Sequence, residues 1–568
     1  MADPHTASTQ SLPTVEHQPG VAAMPPWKVG ELPEAPTFQW RRIAAFIGPG
    51  IVMASAAVGG GEWLTGPMNT AKYGAAIFWL ATISILIQAI YNVEISRYAL
   101  YTGEPIFTGK FRIPPSPWFW VIAYLLLDFG SFLPYLASNA AIPLGAMVLG
   151  RIPESTNTAI TVMGMTDKQF LQVLSLIIFI SVFLPLLFGG KIYNTMKALM
   201  TFKLFAVFGF LLFLAVFFST AETWKEIGSG FFKFGTVPTY AAEDTNANGK
   251  RDEKESPHLT NTDNIFCALQ EGRPLRKLDW TLLGFLAAMA ALAGNGGLTN
   301  TPVSNYTRDQ GWGMGGHVGA IPSIVGGHEI TLSHEGCVFA VTEASLPRWK
   351  RWLKHVRREQ WCLWAPACFV GLALPSLLSV QFIPRGQVPA DKWQVAAMTA
   401  NGVSDAVEAR WGASMGGLFW NLTLFCGFLV LATSAASTAD GVLRRWVDVF
   451  WTASPRLRKW DTRDIGKLYF GVLVVFVVMG SLMLWFVKGD HLLVFSTMMY
   501  NYALGFSCLH TLAVNTLLLP RELRPGWIPR AGLLLGTVFF LTIAVITTYA
   551  EWEKIKSGWL ALLSIFGL

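Results

Sequence analysis

Apolar runs of about 20 residues or more recur along the whole chain, separated by short polar stretches. They define eleven candidate membrane spans, near residues 43–66, 74–100, 117–148, 170–189, 198–219, 280–307, 361–383, 415–442, 466–487, 491–518 and 531–550. A helix needs about 20 apolar residues to cross the hydrocarbon layer, so the pattern predicts an all-α polytopic membrane protein with a transmembrane domain over 41–550. Residues 551–568 read as a short tail, because Trp559–Leu568 is too short to cross. Residues 1–40 are rich in Pro, Ser and Thr and lack an apolar signal-like run, which predicts a disordered cytoplasmic tail and not a signal peptide.

Composition sharpens this picture. Of 568 residues, 52% are hydrophobic and only 14% charged, against about 25% charged in soluble domains, which excludes a soluble enzyme. No nucleophile–base pair or cofactor motif is evident, and the six cysteines show no CxxC spacing, so neither a disulfide framework nor a zinc site is indicated. Lys and Arg cluster before the first span (Arg41, Arg42), before the seventh (Arg348, Lys350, Arg351, Lys354, Arg357, Arg358) and after the eighth (Arg444, Arg445, Arg456, Arg458, Lys459). Short basic loops stay cytoplasmic, which predicts a plasma (inner) membrane protein with its N-terminus inside and its C-terminus outside. Loop 309–360 is then cytoplasmic and loop 220–279 extracytoplasmic. The net charge of +7 follows from this topology and calls for no nucleic-acid partner; the lipid bilayer is the partner.

Two spans are interrupted. The first carries Gly59-Gly60-Gly61 followed by Glu62 inside an apolar run, and the sixth carries Gly294-Asn295-Gly296-Gly297. Glycine runs disfavour continuous helix, and a carboxylate at membrane depth is costly without a role or a partner. Breaks at matching places in spans one and six of a five-plus-five inverted repeat point to a secondary transporter with its site at the midplane. The alternative is that these glycines serve only close helix packing.

On these and further residues the chain resembles the Nramp divalent-metal transporters of the leucine-transporter fold, over roughly 43–520. Gly48-Pro49-Gly50 is similar to the GPG opening that family's first helix, and Arg97 to Gly103 to its second-helix ending R-x-x-x-x-T-G. Asp128 matches the aspartate of D-x-x-E-F-L, which the resemblance implicates in proton handling, and Arg308 matches the arginine ending the sixth helix; both are coupling or gating candidates. The metal-binding motifs depart from the family. D-P-G-N falls on Gly59-Gly60-Gly61-Glu62, so the aspartate is lost and the asparagine has become a glutamate. A-x-x-M-P-H-N falls on Ala291 to Gly297, without methionine or histidine, and Ser131 replaces the third-helix glutamate. Losing the soft sulfur predicts a hard divalent cation such as magnesium, calcium or manganese.

The expected ion site is Glu62 with carbonyls near Gly59 and Ala291, Gly294 and the Asn295 amide. Glu62 has two readings, as a ligand or gating carboxylate and as a structural acceptor for unwound backbone. Asp440 with Arg444, and Glu94 with Arg97, read as ion pairs. His510 reads as a hydrogen-bonded core histidine, while Asn139, Thr497 and Asn501 either line the pathway or bond between helices. Within the outer loop, DTNANGKRDEKE places Asp244, Asn246, Asn248, the Lys250 carbonyl, Asp252 and Glu255 at calcium-loop positions with Gly249 at the sharp turn, an expected structural calcium site or else a solvated polar loop. His317, His328-Glu329 and His334-Glu335 lie in a Gly-rich stretch read as an ordered cytoplasmic loop. Transport itself needs no cofactor in this reading. The expectation is symport of a divalent cation by alternating access; an organic-solute carrier on the same fold and a non-transporting sensor are the competing classes.

Overall fold

The computed structural model describes residues 23–36, 55, 59–162, 164–184, 192–240, 262–321, 332–386, 392–486, 489–553 and 556. Gly48-Pro49-Gly50, the loop 244–255, His328-Glu329 and Trp559–Leu568 lie outside the described residues. The chain is built of helices: α1 (Gly66–Tyr73), α2 (Trp79–Thr102), α3 (Pro117–Leu127), α4 (Tyr135–Leu149), α5 (Asp167–Ser181), α6 (Ile192–Phe218), α7 (Leu283–Leu292), α8 (Pro302–Asp309), α9 (Ser345–Glu359), α10 (Ala365–Phe382), α11 (Ala413–Ala453), α12 (Ile465–Phe486), α13 (Gly489–Leu517) and α14 (Trp527–Ala550). Among the described residues, eight helical segments are long and apolar enough to cross a membrane. The other expected spans are interrupted, short or partly outside the described residues. Asp128 separates α3 from the turn Phe129–Phe132, and α7 and α8 are two halves of the sixth span.

Local sequence explains the boundaries. Ser116 caps α3, its hydroxyl accepting from the Phe119 N–H at 3.3 Å, with Pro117 in the first turn where a missing N–H costs nothing. Thr166 and Gln169 form a reciprocal capping box on α5. Gly103 ends α2 at φ 64°, a left-handed conformation that glycine adopts without a Cβ penalty. In the core, α11 packs on α4, α7 on α13, and α10 on α1, so both interrupted spans are enclosed by continuous helices.

Residues 23–36 depart from the expected disordered tail. Lys28–Val29 pairs in parallel with Cys337–Val338, Arg112 donates to the Pro25 carbonyl at 2.8 Å, and Trp352 Nε1 donates to the Pro33 carbonyl at 2.9 Å. Arg348 bonds Glu31 at 2.6 Å, and Arg351 bonds Glu34 at 2.6 Å. Met24 and Leu32 are buried. A few apolar residues in a Pro-rich stretch carry no periodicity, yet they can fill hollows on a surface that the helices build independently.

On loop 220–279, Thr236–Pro238 and Thr262–Asn264 pair antiparallel and close the base of segment 241–261. Arg273 grips both Asp263 oxygens at 2.7 Å, and this hydrogen bonding holds the Asp263 carboxyl well below the usual carboxylate range.

Candidate ion site between two helix breaks

The two interruptions meet. Residues Gly61–Thr65 form a π-helical turn leading into α1, and α7 ends at Leu292, with Ala293 already extended and Gly294 at φ 106°. A Cβ on Gly61 would stand 2.6 Å from that of Leu292, so glycine is what allows the segments to approach. π-helical turns recur at functional sites because they aim side chains and carbonyls off the regular ladder.

Glu62 ties the breaks together. Its Oε2 accepts from the Gly59 N–H at 2.8 Å and its Oε1 from the Gly294 N–H at 3.3 Å. With only 1% exposure, the carboxylate is out of bulk water, and the two donors offset part of its desolvation cost. A carboxylate offers about four lone-pair positions, so these bonds leave acceptor capacity.

Gln88 on α2 replaces the missing helix bonds of the second break. Its Oε1 accepts from the Asn295 N–H and from Asn300 Nδ2, both at 2.9 Å, while its Nε2 donates to the Ala293 carbonyl at 2.9 Å. The Ser84 hydroxyl donates to the Ala290 carbonyl at 2.6 Å. With the Asn295 N–H turned to Gln88, the Ala291 carbonyl loses the donor that a continuing helix would bring it. Asn295 Oδ1 accepts from Trp364 Nε1 at 2.9 Å, which orients its amide.

A cavity of about 40 Å³ lies at this junction. Gly59 to Glu62 wall one side, Leu292 and Gly294 to Gly296 the other; Tyr135 and Tyr500 also line it, with Ser434, Ser437 and Thr438 from α11. Of the expected ion-site residues, Gly59, Glu62, Gly294 and Asn295 line it, and Ala291 stands behind in the last turn of α7. A larger open hollow of about 410 Å³, lined by Asn401, Asp405, Trp420 and others, shares no residue with this junction.

The coupling or gating candidates stand apart from the cavity lining. Asp128 accepts from Arg445 at 2.6 and 2.7 Å and from Trp446 Nε1 at 2.9 Å. Arg308 bonds Asp448 at 2.5 Å and Asp309 at 2.9 Å; Asp309 also pairs with Arg444, which bonds Asp440 at 2.8 Å. Buried charges on α8 and α11 thus neutralise one another, and the pairing expected of Asp440 with Arg444 is present, as is that of Glu94 with Arg97 at 2.8 Å. His510 Nδ1 bonds the Tyr124 hydroxyl at 2.7 Å. Asn139 donates to the Tyr135 carbonyl at 2.8 Å, and Asn501 to the Ala287 carbonyl at 3.1 Å, so both carry helix-to-backbone bonds. His334 lies stacked on Trp451, its ring nitrogens 3.1 Å from the Trp451 and Trp460 carbonyls, and Glu335 pairs with Lys28. Among the described residues, His, Cys, Asp and Glu form no group of three placed to hold a metal.

This architecture has solved counterparts. A manganese transporter from Eremococcus coleocola, in complex with an aromatic bis-isothiourea compound, superposes with TM-score 0.55 at 14% identity, covering 94% of each chain. Histidine and glutamate mutants of the same transporter superpose with TM-score 0.56 at 14% and 13% identity, each covering 95% of this chain and 94% of theirs. The chain has the fold of that transporter. This bears out, at the level of fold, the Nramp-like resemblance drawn from the sequence. No protein-family model and no curated protein matches the chain.

Sequence reasoning missed Gln88, the pairing of Arg445 with Asp128, and the buried Lys203, whose Nζ donates to the Ser55 carbonyl and to Ser434 Oγ at 2.8 Å each. Each involves a strongly polar residue inside or at the end of an apolar span, which is itself a signal of buried function. Their partners lie far away in sequence, and no local pattern names them.

Proposed function

We propose that the protein is a secondary transporter moving a hard divalent cation by alternating access, with Glu62 as the charged group of the site. The observation that carries this reading is the small cavity between the two breaks, with a buried carboxylate in its wall. Pockets for organic solutes measure about 300–1,000 Å³, so this one suits an ion or a water and favours a cation over an amino acid. The wall offers carboxylate, amide, hydroxyl and carbonyl oxygen and no thioether, which suits magnesium, calcium or manganese. The solved counterpart is a manganese transporter by name, and its likeness supports a metal-ion cargo here.

The ion pairs joining Arg308 on α8 to Asp448 on α11, and Asp128 to Arg445, serve as the gate that alternating access must break and remake. That end of the molecule also carries the basic helix α9 and the segment 23–36, so positive-inside bias supports a cytoplasmic location for it. In the outer loop, the oxygen side chains at calcium-loop spacing in 244–255 support a structural calcium site there.

Melting of the purified protein in detergent tests the cargo. Stabilisation by magnesium, calcium or manganese, with none by amino acids, supports the reading; stabilisation by amino acids alone contradicts it.

A further inference from the structure

The antiparallel pair Thr236–Pro238 and Thr262–Asn264 stands where α2 enters the membrane. Gln88, which bonds the second break, is the middle of the apolar stretch Ala75–Thr102. Trp79 lies nine residues before it, about 14 Å along the helix axis, and the hydrocarbon layer extends about 15 Å from its midplane. The Trp79 indole donates to the Thr236 carbonyl at 2.7 Å, and its ring centre is 6.3 Å from that of Phe234. Phe231 is buried, its ring centre 5.0 Å from that of Phe78 and 5.2 Å from that of Phe369 on α10. Phe369 follows by five residues Trp364, which bonds Asn295 at the break, so it lies about 7.5 Å from that level. These contacts seat the strand pair at the edge of the hydrocarbon layer and not above it.

What the strand pair and its flanks turn outward is apolar. Phe232 is 74% exposed, Phe266 62% and Leu269 74%, with Phe234 beside them at 43%. Folding brings them together: Asn264 Nδ2 donates to the Phe234 carbonyl at 2.8 Å, and a Cβ on Gly235 would stand 2.6 Å from the Phe266 ring. Asn264 also caps the short helix Ile265–Glu271, which sets Phe266 and Leu269 on one side of it. Below Trp79, Leu80 and Ile83 are half-buried and Leu86 is exposed, a stripe of α2 that faces lipid. The aromatic patch continues that stripe, and an apolar patch rimmed by polar residues marks an interaction surface. Its rim is basic. Lys233, Arg276 and Lys277 are exposed and, among the described residues, make no ion pair, whereas Asp263 and Glu271 are taken by Arg273 and Asp279 by Lys72.

We propose that this part of loop 220–279 is a membrane anchor: Phe232, Phe234, Phe266 and Leu269 insert into the bilayer leaflet at this face, and Lys233, Arg276 and Lys277 contact anionic lipid headgroups. Aromatic side chains at the boundary with unpaired lysine and arginine beside them are the chemistry of a segment lying in an anionic lipid surface. The anchor fixes the height of the loop against α2 and α10. The inference rests on the membrane fold alone and stands whatever the protein carries.

The test is spin-label depth in the full-length protein, in vesicles of phosphatidylcholine with phosphatidylglycerol. Leu269→Cys is labelled in a Cys267→Ser, Cys362→Ser background, because those two native cysteines are exposed, and Leu86→Cys in the same background marks a lipid-facing position. Power saturation is read with oxygen, which partitions into lipid, and with a neutral nickel chelate, which stays in water. The label at 269 is expected to respond to oxygen as the label at 86 does and to be shielded from the chelate. A response to the chelate equal to that of free label in buffer places the patch in solvent and overturns the inference. Shielding from both reagents places it against protein, a second copy or another segment, and overturns it as well. In pure phosphatidylcholine the label is expected to sit shallower, its response to the chelate rising about twofold; equal depth in both lipids overturns the headgroup contact. Should Leu269→Cys fail to fold, Phe232→Cys carries the same test from the other side of the patch.

Discussion

Replacing Glu62 by glutamine separates the bridge it makes between the two breaks from the ligand role proposed for it. Gly59 and Gly294 donate to different oxygens of the carboxylate, at 2.8 and 3.3 Å. Glutamine keeps the shape but has one acceptor oxygen, and its NH₂ must face one of the two N–H groups. The better orientation keeps the shorter bond to Gly59 and leaves the Gly294 N–H buried without an acceptor, at a cost of about 1–3 kcal/mol. Set against a total stability of about 5–15 kcal/mol, the variant remains folded. Its cavity, however, has lost the formal negative charge proposed to hold a divalent ion, so cation-dependent uptake into proteoliposomes is expected to vanish. Melting and uptake measured on the same preparation check both halves. Uptake at the wild-type rate would refute the ligand role, and an unchanged melting temperature would refute the bridging of the two breaks.

Arg445→Met leaves Asp128 as an uncompensated buried charge and is expected to destabilise by about 3–5 kcal/mol, read as a large drop in melting temperature that Asp128→Asn in the same chain partly reverses. Gly294→Ala forces a side chain onto φ 106° and against Gln88 and Trp364, at 3.0 Å each, for an expected loss of about 1–3 kcal/mol. Adding the family's methionine there therefore fails on backbone grounds before selectivity can change. Millimolar calcium is expected to protect the segment between Phe234 and Thr262 from protease, and Asp244→Ala with Glu255→Ala to abolish that protection while transport persists; no protection at any concentration refutes the calcium loop.

The all-helical membrane fold, the two breaks and the cavity-lining Gly59, Glu62, Gly294 and Asn295 were legible in the sequence, because each is written in a local run: apolar stretches, glycine clusters, one carboxylate among them. Pairs within one or two turns, such as Glu94 with Arg97 and Asp440 with Arg444, were legible for the same reason. Illegible were pairings set by helix rotation and tertiary packing. Lys203 finds Ser55 and Ser434 across 148 and 231 positions, and Asp128 finds Arg445 across 317. The docking of residues 23–36 was hidden likewise, since its Met24, Trp27 and Leu32 gain meaning only from the surface formed around Cys337 and Trp352.

Crystals of the protein soaked in manganese and measured at the manganese absorption edge would locate the ion itself. Manganese takes oxygen ligands and scatters anomalously, so it marks its own position. An anomalous peak is expected in the cavity between Gly59 to Glu62 and Gly294 to Gly296, within coordination distance of the Glu62 carboxylate, and absent from Glu62→Gln crystals. A manganese peak elsewhere in the membrane domain, with the cavity empty, would contradict it.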